Sequence, residues 1–180
     1  MAETSWRRVR SDRRVRRPSI VGRMADEKPP RHAAGERETL LALLQYQRDS
    51  FVRKLTGISD DDARREFVAS GTTLLWLMKH MARAEDLWIE QRFAGQEPEI
   101  LDDTVRPGDS VDACIDAYRA TWVRVDAVVS AASLDDACRD VGDEAIVNLR
   151  WVLMHLLEET ARHAGHADIL RELVDGDTGR

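Results

Sequence analysis

His155, Glu159, His163 and His166 recur at helical spacing near the end of the chain, four, four and three residues apart. A helix turns about 100° per residue, so all four fall within one arc of its surface. Trp151, Val152, Leu156, Leu170 and Leu173 share or border that arc, while Arg150, Asp168, Arg171 and Glu172 point elsewhere. This pattern turns the polar cluster toward a core, where imidazoles and a carboxylate need partners. A divalent ion is one such partner, and Glu159 and His163, at i and i+4, can both reach it. Upstream, Trp76, Leu77, His80, Ala84, Leu87 and Trp88 form an apolar stripe with His80 in its middle. His80 on a facing helix would complete a set of two histidines and one carboxylate that leaves coordination positions open for chemistry.

A lone histidine on an apolar stripe is most often a hydrogen-bonded core residue; the three together point to metal. His155 reads as a satisfied core or supporting residue, His166 as a supporting residue beside the ligands, and His32 as a surface residue. Trp76, Trp88, Trp122 and Trp151, also at helical spacing, read as core. Asp60, Asp61 and Asp62 read as a solvated helix start and Asp102 and Asp103 as a loop, neither with the spacing of a metal-binding loop. No phosphate-binding loop, dinucleotide fingerprint or nucleophile elbow is present.

Four helical segments must position these residues. The first runs from about Gly35 to Leu55, and a short helical turn is possible in the connection through Ser59–Asp62. The second begins at Thr72 or Thr73 as cap and ends at Gly95, a suitable left-handed closing residue. Residues 95–109, with Gly95, Pro98, Pro107 and Gly108, form a connection longer than the ~2–8 residues common in bundles. Ser110 caps the third helix, which buries Val111, Ile115, Tyr118, Trp122, Val125 and Val129 and closes near Ser130 or Ser133. The fourth starts near Asn148 and runs to about Val174, with Gly176 beyond. Residues 134–147 leave room for a short strand or hairpin. An all-α four-helix bundle is the natural architecture, and bundle cores are where facing helices build metal sites.

The composition suits one globular domain: 180 residues, 43% hydrophobic and 33% charged. No apolar run approaches the ~20 residues of a membrane span, and no secretory signal is visible, so a cytoplasmic location is expected. Cys114 and Cys138 form no close pair and are expected to be reduced and structural. Charge is split. Eight arginines against Glu3 and Asp12 give residues 1–23 a net +6, leaving −12 for the rest of a chain whose total is −6. That Arg-rich stretch cannot bury a face, so residues 1–32 are expected to be a disordered extension to a bundle over 33–176, with the true start possible at Met24. The acidic bundle would repel phosphate, which argues against nucleic acid as a partner. Arginine outnumbers lysine 24 to 3, a sign of a GC-rich genome.

Residues 33–175 resemble the DinB-like superfamily of four-helix metalloproteins, in particular its branch formerly known as a domain of unknown function in actinobacteria. The run Leu149–Asp168, with His155, Glu158, Glu159, His163, Gly165 and His166, is similar to the superfamily's last-helix signature, and Leu77-Met78-Lys79-His80-Met81-Ala82 to its second-helix histidine motif. The resemblance implies His80, Glu159 and His163 as metal ligands, with His166 at a position often held by Gln. Many members place histidine where this chain has Glu159; the mycothiol-dependent maleylpyruvate isomerase type has glutamate there, as here. It also implies two helices running parallel across the long connection.

The activity implied is a divalent-metal-dependent thiol S-transferase, with a low-molecular-weight thiol such as mycothiol attacking a small electrophile. Zinc is the first expectation for the ion, with nickel, iron or manganese compatible. A homodimer is possible; no nucleic acid or membrane partner is expected. The alternative is a non-catalytic metal-binding or stress-response bundle using the same ligands.

Overall fold

Three of the long helices begin where a side chain accepts a free backbone N–H of the first turn. Thr73 accepts from Trp76 N at 3.1 Å, Ser110 from Ala113 N at 3.2 Å and Asn148 from Trp151 N at 3.1 Å. The computed structural model describes residues 28–31, 33–97, 101–140, 142 and 145–178. The expectations for residues 1–23, for a start at Met24 and for His32 lie outside them. Helix α1 spans Glu36–Leu55, the short α2 Asp60–Ala63, α3 Leu74–Glu85, α4 Val111–Ser130 and α5 Leu149–Asp175.

The second long helix differs from its expected course. After Glu85 it widens into a π-helical segment, Asp86–Phe93, in which Ala94 N donates to Ile89 O at 2.9 Å. Such wide turns are uncommon and mark places where side chains override the ordinary ladder; here the segment carries Asp86 and Glu90, both buried. It ends at Gly95, whose φ of +61° favours glycine and whose Cβ would lie 3.0 Å from the Arg139 side chain. That close approach lets the α4–α5 connection cross the helix end, with Arg139 N and Asp140 N donating to Arg92 O. Among the described residues, 134–147 holds one isolated antiparallel bridge, Ala137 with Asn148, in place of a strand or hairpin.

Side-chain contacts fix the directions of the helices. At one end Arg150 pairs with Glu36, and at the other Lys54 pairs with Asp168 while Arg171 donates to the Lys54 and Thr56 carbonyls. Helices α1 and α5 therefore run parallel. So do α3 and α4: Lys79 pairs with Asp109 just before α4, and Arg124, further along it, with Asp86 and Glu90. The two parallel pairs oppose each other, so the α3–α4 connection must travel back along the bundle, which accounts for its length.

The core has two apolar halves. One packs Phe51, Leu55, Leu77, Met78, Met81, Tyr118, Ala164 and Leu170; the other packs Leu44, Ile89, Phe93, Val125, Val129, Leu149 and Leu156. Near their junction Arg48 is 2% exposed and Glu85 fully buried, with the Arg48 Nε–Glu85 Oε1 contact at 2.9 Å and Tyr118 OH donating to Glu85 Oε1 at 2.8 Å. Arg48 also reaches Asp126 at 3.0 Å. Arg124 closes on Asp86 at 2.6 Å and Glu90 at 3.2 Å. Burial, and then the neighbouring Glu90, push the Asp86 carboxyl up to about 6.

Two residues expected in the core are at the surface. Trp151 is 44% and Leu173 51% exposed. Trp151 covers one face only: it stacks flat on His155 and tilts against Trp88, leaving its other side to solvent.

Candidate metal centre

His80 on α3 and His163 on α5 meet across the interface between these antiparallel helices, with ring centroids 5.1 Å apart and planes at 76°. Two imidazoles bound to one ion at about 2.1 Å would place their centroids roughly 5 Å apart at a tetrahedral angle. Glu159, one turn before His163, lies with Oε2 at 3.1 Å from His163 Nε2. The helical spacing of the sequence thus brings the three expected ligands to one place, at the partly exposed edge of the apolar half that contains Met78 and Ala164. Side chains of His80, Glu159 and His163 are 25%, 22% and 13% exposed, so the cluster opens toward solvent rather than facing a sealed core.

Each imidazole is held at its Nδ1 side. His163 Nδ1 lies 3.3 Å from His166 Nδ1, and His80 Nδ1 lies 3.3 Å from Asp103 Oδ2. Trp76 stacks on His80 with centroids 4.7 Å apart and planes at 14°. Burial, the neighbouring His80 and, more weakly, His166 hold the His163 imidazole below its usual value, with Glu159 opposing. A neutral imidazole is the form that ligates a cation.

The donor set fits a borderline divalent ion, imidazole nitrogen with one carboxylate. Among the described residues no three His, Cys, Asp or Glu side chains already form a group able to hold one ion. Glu159 Oε2 contacts His163 Nε2, its Oε1 lies 3.6 Å from Arg162, and His80 Nδ1 faces Asp103.

His166 stands beside His163. The His155 ring packs between Trp88 and Trp151, two turns of α5 from His163. Asp103, which the sequence placed only in a loop, is the partner that spacing missed. No local motif marks it, because it arrives from 23 residues along the chain. The buried charges Glu85, Asp86 and Glu90 did leave a trace, as carboxylates flanking the apolar run Leu87-Trp88-Ile89.

The α3–α4 connection also walls a cavity of about 500 Å³ lined by Lys79, Leu101, Asp102, Arg106, Asp109 and Cys114, among others. Lys79 precedes His80 on α3, so cavity and histidine site lie on neighbouring faces of one helix. Burial raises the Cys114 thiol, which suits a structural cysteine rather than a nucleophile.

Two solved structures share the fold. A conserved protein from Enterococcus faecalis superposes with a TM-score of 0.63 at 17% identity, covering 81% of this chain and 100% of its own. A DinB-like protein from Bacillus cereus ATCC 10987 gives 0.60 at 19% identity, covering 76% and 91%. No curated protein matches the sequence. The all-α fold is therefore one that this chain shares with both proteins. A family model described as mycothiol S-transferase matches residues 39–176, a span that takes in the long helices almost entire together with His80, Glu159, His163 and Asp103, and the chain belongs to that family.

Proposed function

We propose that this chain is a divalent-metal-dependent S-transferase that activates a low-molecular-weight thiol, such as mycothiol, for attack on a small electrophile. The observation that carries the reading is the meeting of His80 and His163 from facing helices, with Glu159 at His163 Nε2. A divalent ion held by His80, Glu159 and His163, with zinc the first candidate, supplies Lewis acidity that favours thiolate over a thiol of pKa about 8.5.

The residues around it do the rest. Asp103 and His166 engage the Nδ1 atoms of the two imidazoles. Trp76 covers one face of His80 and excludes water from it. His166, exposed and adjacent, is placed to pass the proton released by the thiol to solvent. The thiolate sulfur then forms a bond to the electrophilic carbon, whose leaving group departs with the bonding pair, or whose epoxide C–O bond opens. The neighbouring cavity, with Lys79 and Arg106 set against Asp102 and Asp109, falls within the size range of small-molecule pockets.

Elemental analysis of tag-free protein, wild type beside His163→Ala, combined with mycothiol consumption in the presence of chlorodinitrobenzene, tests the reading. Near-stoichiometric metal and thiol consumption, both lost in the variant, are expected. Thiol turnover that survives in metal-free His163→Ala protein would overturn it. Metal retained with no thiol loss across mycothiol, bacillithiol and glutathione would reassign the chain as a non-catalytic metal-binding bundle.

A further inference from the structure

The α3–α4 connection brings one carboxylate to the histidine site, and nothing in the site's sequence signature announces it. We propose that Asp103 is a positioning residue for His80: it holds the imidazole as the Nδ1–H tautomer, leaving Nε2 as the lone-pair nitrogen available for coordination.

An ionised carboxylate only accepts hydrogen bonds, so the Asp103 Oδ2 contact at 3.3 Å requires His80 Nδ1 to donate. A neutral imidazole has one donor and one acceptor, and occupying Nδ1 as donor leaves Nε2 as acceptor. Arg83 lies 3.8 Å from the same carboxylate oxygen and anchors it. Trp76, stacked on the ring, restrains its tilt. Carboxylates that fix a metal-binding histidine in this way orient the ligand and raise its basicity.

The position of Asp103 is itself built. Because α3 and α4 run parallel, the connection passes back over α3, and Lys79 fastens it by donating to Thr104 O and pairing with Asp109 at 2.7 Å. Asp102 Oδ1 accepts from Thr104 N at 2.8 Å and its Oδ2 pairs with Arg106, so Asp102 holds the turn while Asp103 faces His80. Adjacent residues of identical chemistry have different jobs, and the pair supplies an internal control.

The test compares full-length wild type with Asp103→Ala, Asp103→Asn and Asp102→Ala. Long-range ¹H–¹⁵N NMR of chelator-treated protein at pH 8 reads the His80 tautomer directly. Wild type is expected as Nδ1–H and Asp103→Ala as predominantly Nε2–H, with Asp103→Asn, which keeps an acceptor oxygen, close to wild type. Zinc affinity by chelator competition is expected to fall at least about tenfold in Asp103→Ala and to change less than threefold in Asp102→Ala. A wild-type His80 found as Nε2–H, or a tautomer unchanged in Asp103→Ala, overturns the inference. Equal zinc losses in Asp103→Ala and Asp102→Ala overturn it as well, because the effect would then be one of loop charge. The zinc readout rests on the proposed metal site whereas the tautomer does not. Wild type that binds no zinc but shows an Asp103-dependent tautomer therefore supports the orienting role and overturns the metal site.

Discussion

Helix α3 carries two polar clusters five residues apart, and they are constructed in opposite ways. Around Glu85 the central pair is buried and fully engaged: Arg48 closes on both carboxylate oxygens, Tyr118 adds a third hydrogen bond, and the exposed Asp126 takes the remaining reach of Arg48. Around His80 the groups are part-exposed, the donors are imidazoles, and the contacts are longer, at 3.1 to 3.3 Å. A saturated cluster has no capacity left for a ligand and serves to lock α1, α3 and α4 in register. A cluster of imidazoles and a carboxylate, held from behind and open in front, leaves polar atoms without such closure, as the proposed metal site requires. Polar residues on an apolar helix face therefore do not by themselves mean function; the number of partners already satisfied separates the two cases.

If that contrast is right, removing one group from the saturated cluster should be the most damaging change. Glu85→Ala leaves Arg48 buried with only Asp126, at its exposed edge, as counter-charge, and is expected to cost about 3–5 kcal/mol in urea unfolding. A loss under about 1 kcal/mol would show that water reaches the cluster and that it is not a lock.

Asp86 gives the next largest effect, and its signature is a pH dependence. Its carboxyl is held near 6 in the folded chain against an ordinary 3.8, so the folded state keeps the proton longer. The stability associated with protonation is complete below about pH 4 and is lost as pH rises toward 6, by roughly 2–3 kcal/mol for a shift of this size. Asp86→Asn should flatten that fall when unfolding is measured from pH 4 to 7. A wild-type stability that rises over the same interval after correction for the other carboxylates would mean that Arg124 dominates Asp86 instead of Glu90 and burial.

Gly165 sharpens the open side of the comparison. It lies inside α5 between His163 and His166, exposed, with nothing within 4 Å of an added Cβ. Gly165→Ala should raise stability by about 0.5–1 kcal/mol, because glycine is the costlier residue in a helix interior. Thiol turnover that falls in this more stable variant would show that the bare backbone is where a substrate approaches; unchanged turnover would put the approach elsewhere.

The smallest effect on folding should come from a residue of the proposed metal site. In chelator, His163→Ala is expected to change unfolding free energy by less than about 1 kcal/mol, while metal content is lost. A cost comparable to that of Glu85→Ala would place His163 among the structural polar residues and remove the distinction between the clusters.

Much of this was legible in the order of residues. The capping side chains Thr73, Ser110 and Asn148 and the closing glycines Gly95 and Gly176 mark the helix ends because they act locally. His80, Glu159 and His163 stood out because a 3.6-residue period and apolar neighbours reveal a shared face. Trp151 and Leu173 were misplaced for the same reason: period assigns a face but not how far a neighbouring helix extends over it. The π-helical segment escaped notice because Asp86 and Glu90 must converge on Arg124, a residue on another helix.

By itself the sequence determined which segments are helical, where they start and stop, and which side chains share one face of α3 or of α5, since these depend on periodicity and on bonds spanning a few residues. Only the tertiary structure decided that α3 and α4 run parallel, that Glu85 is locked by Arg48 and Tyr118, and that Asp103 stands behind His80. Those facts depend on side chains tens of residues apart becoming neighbours, which follows from how the helices pack and how the connection must return along them, not from any spacing within one element.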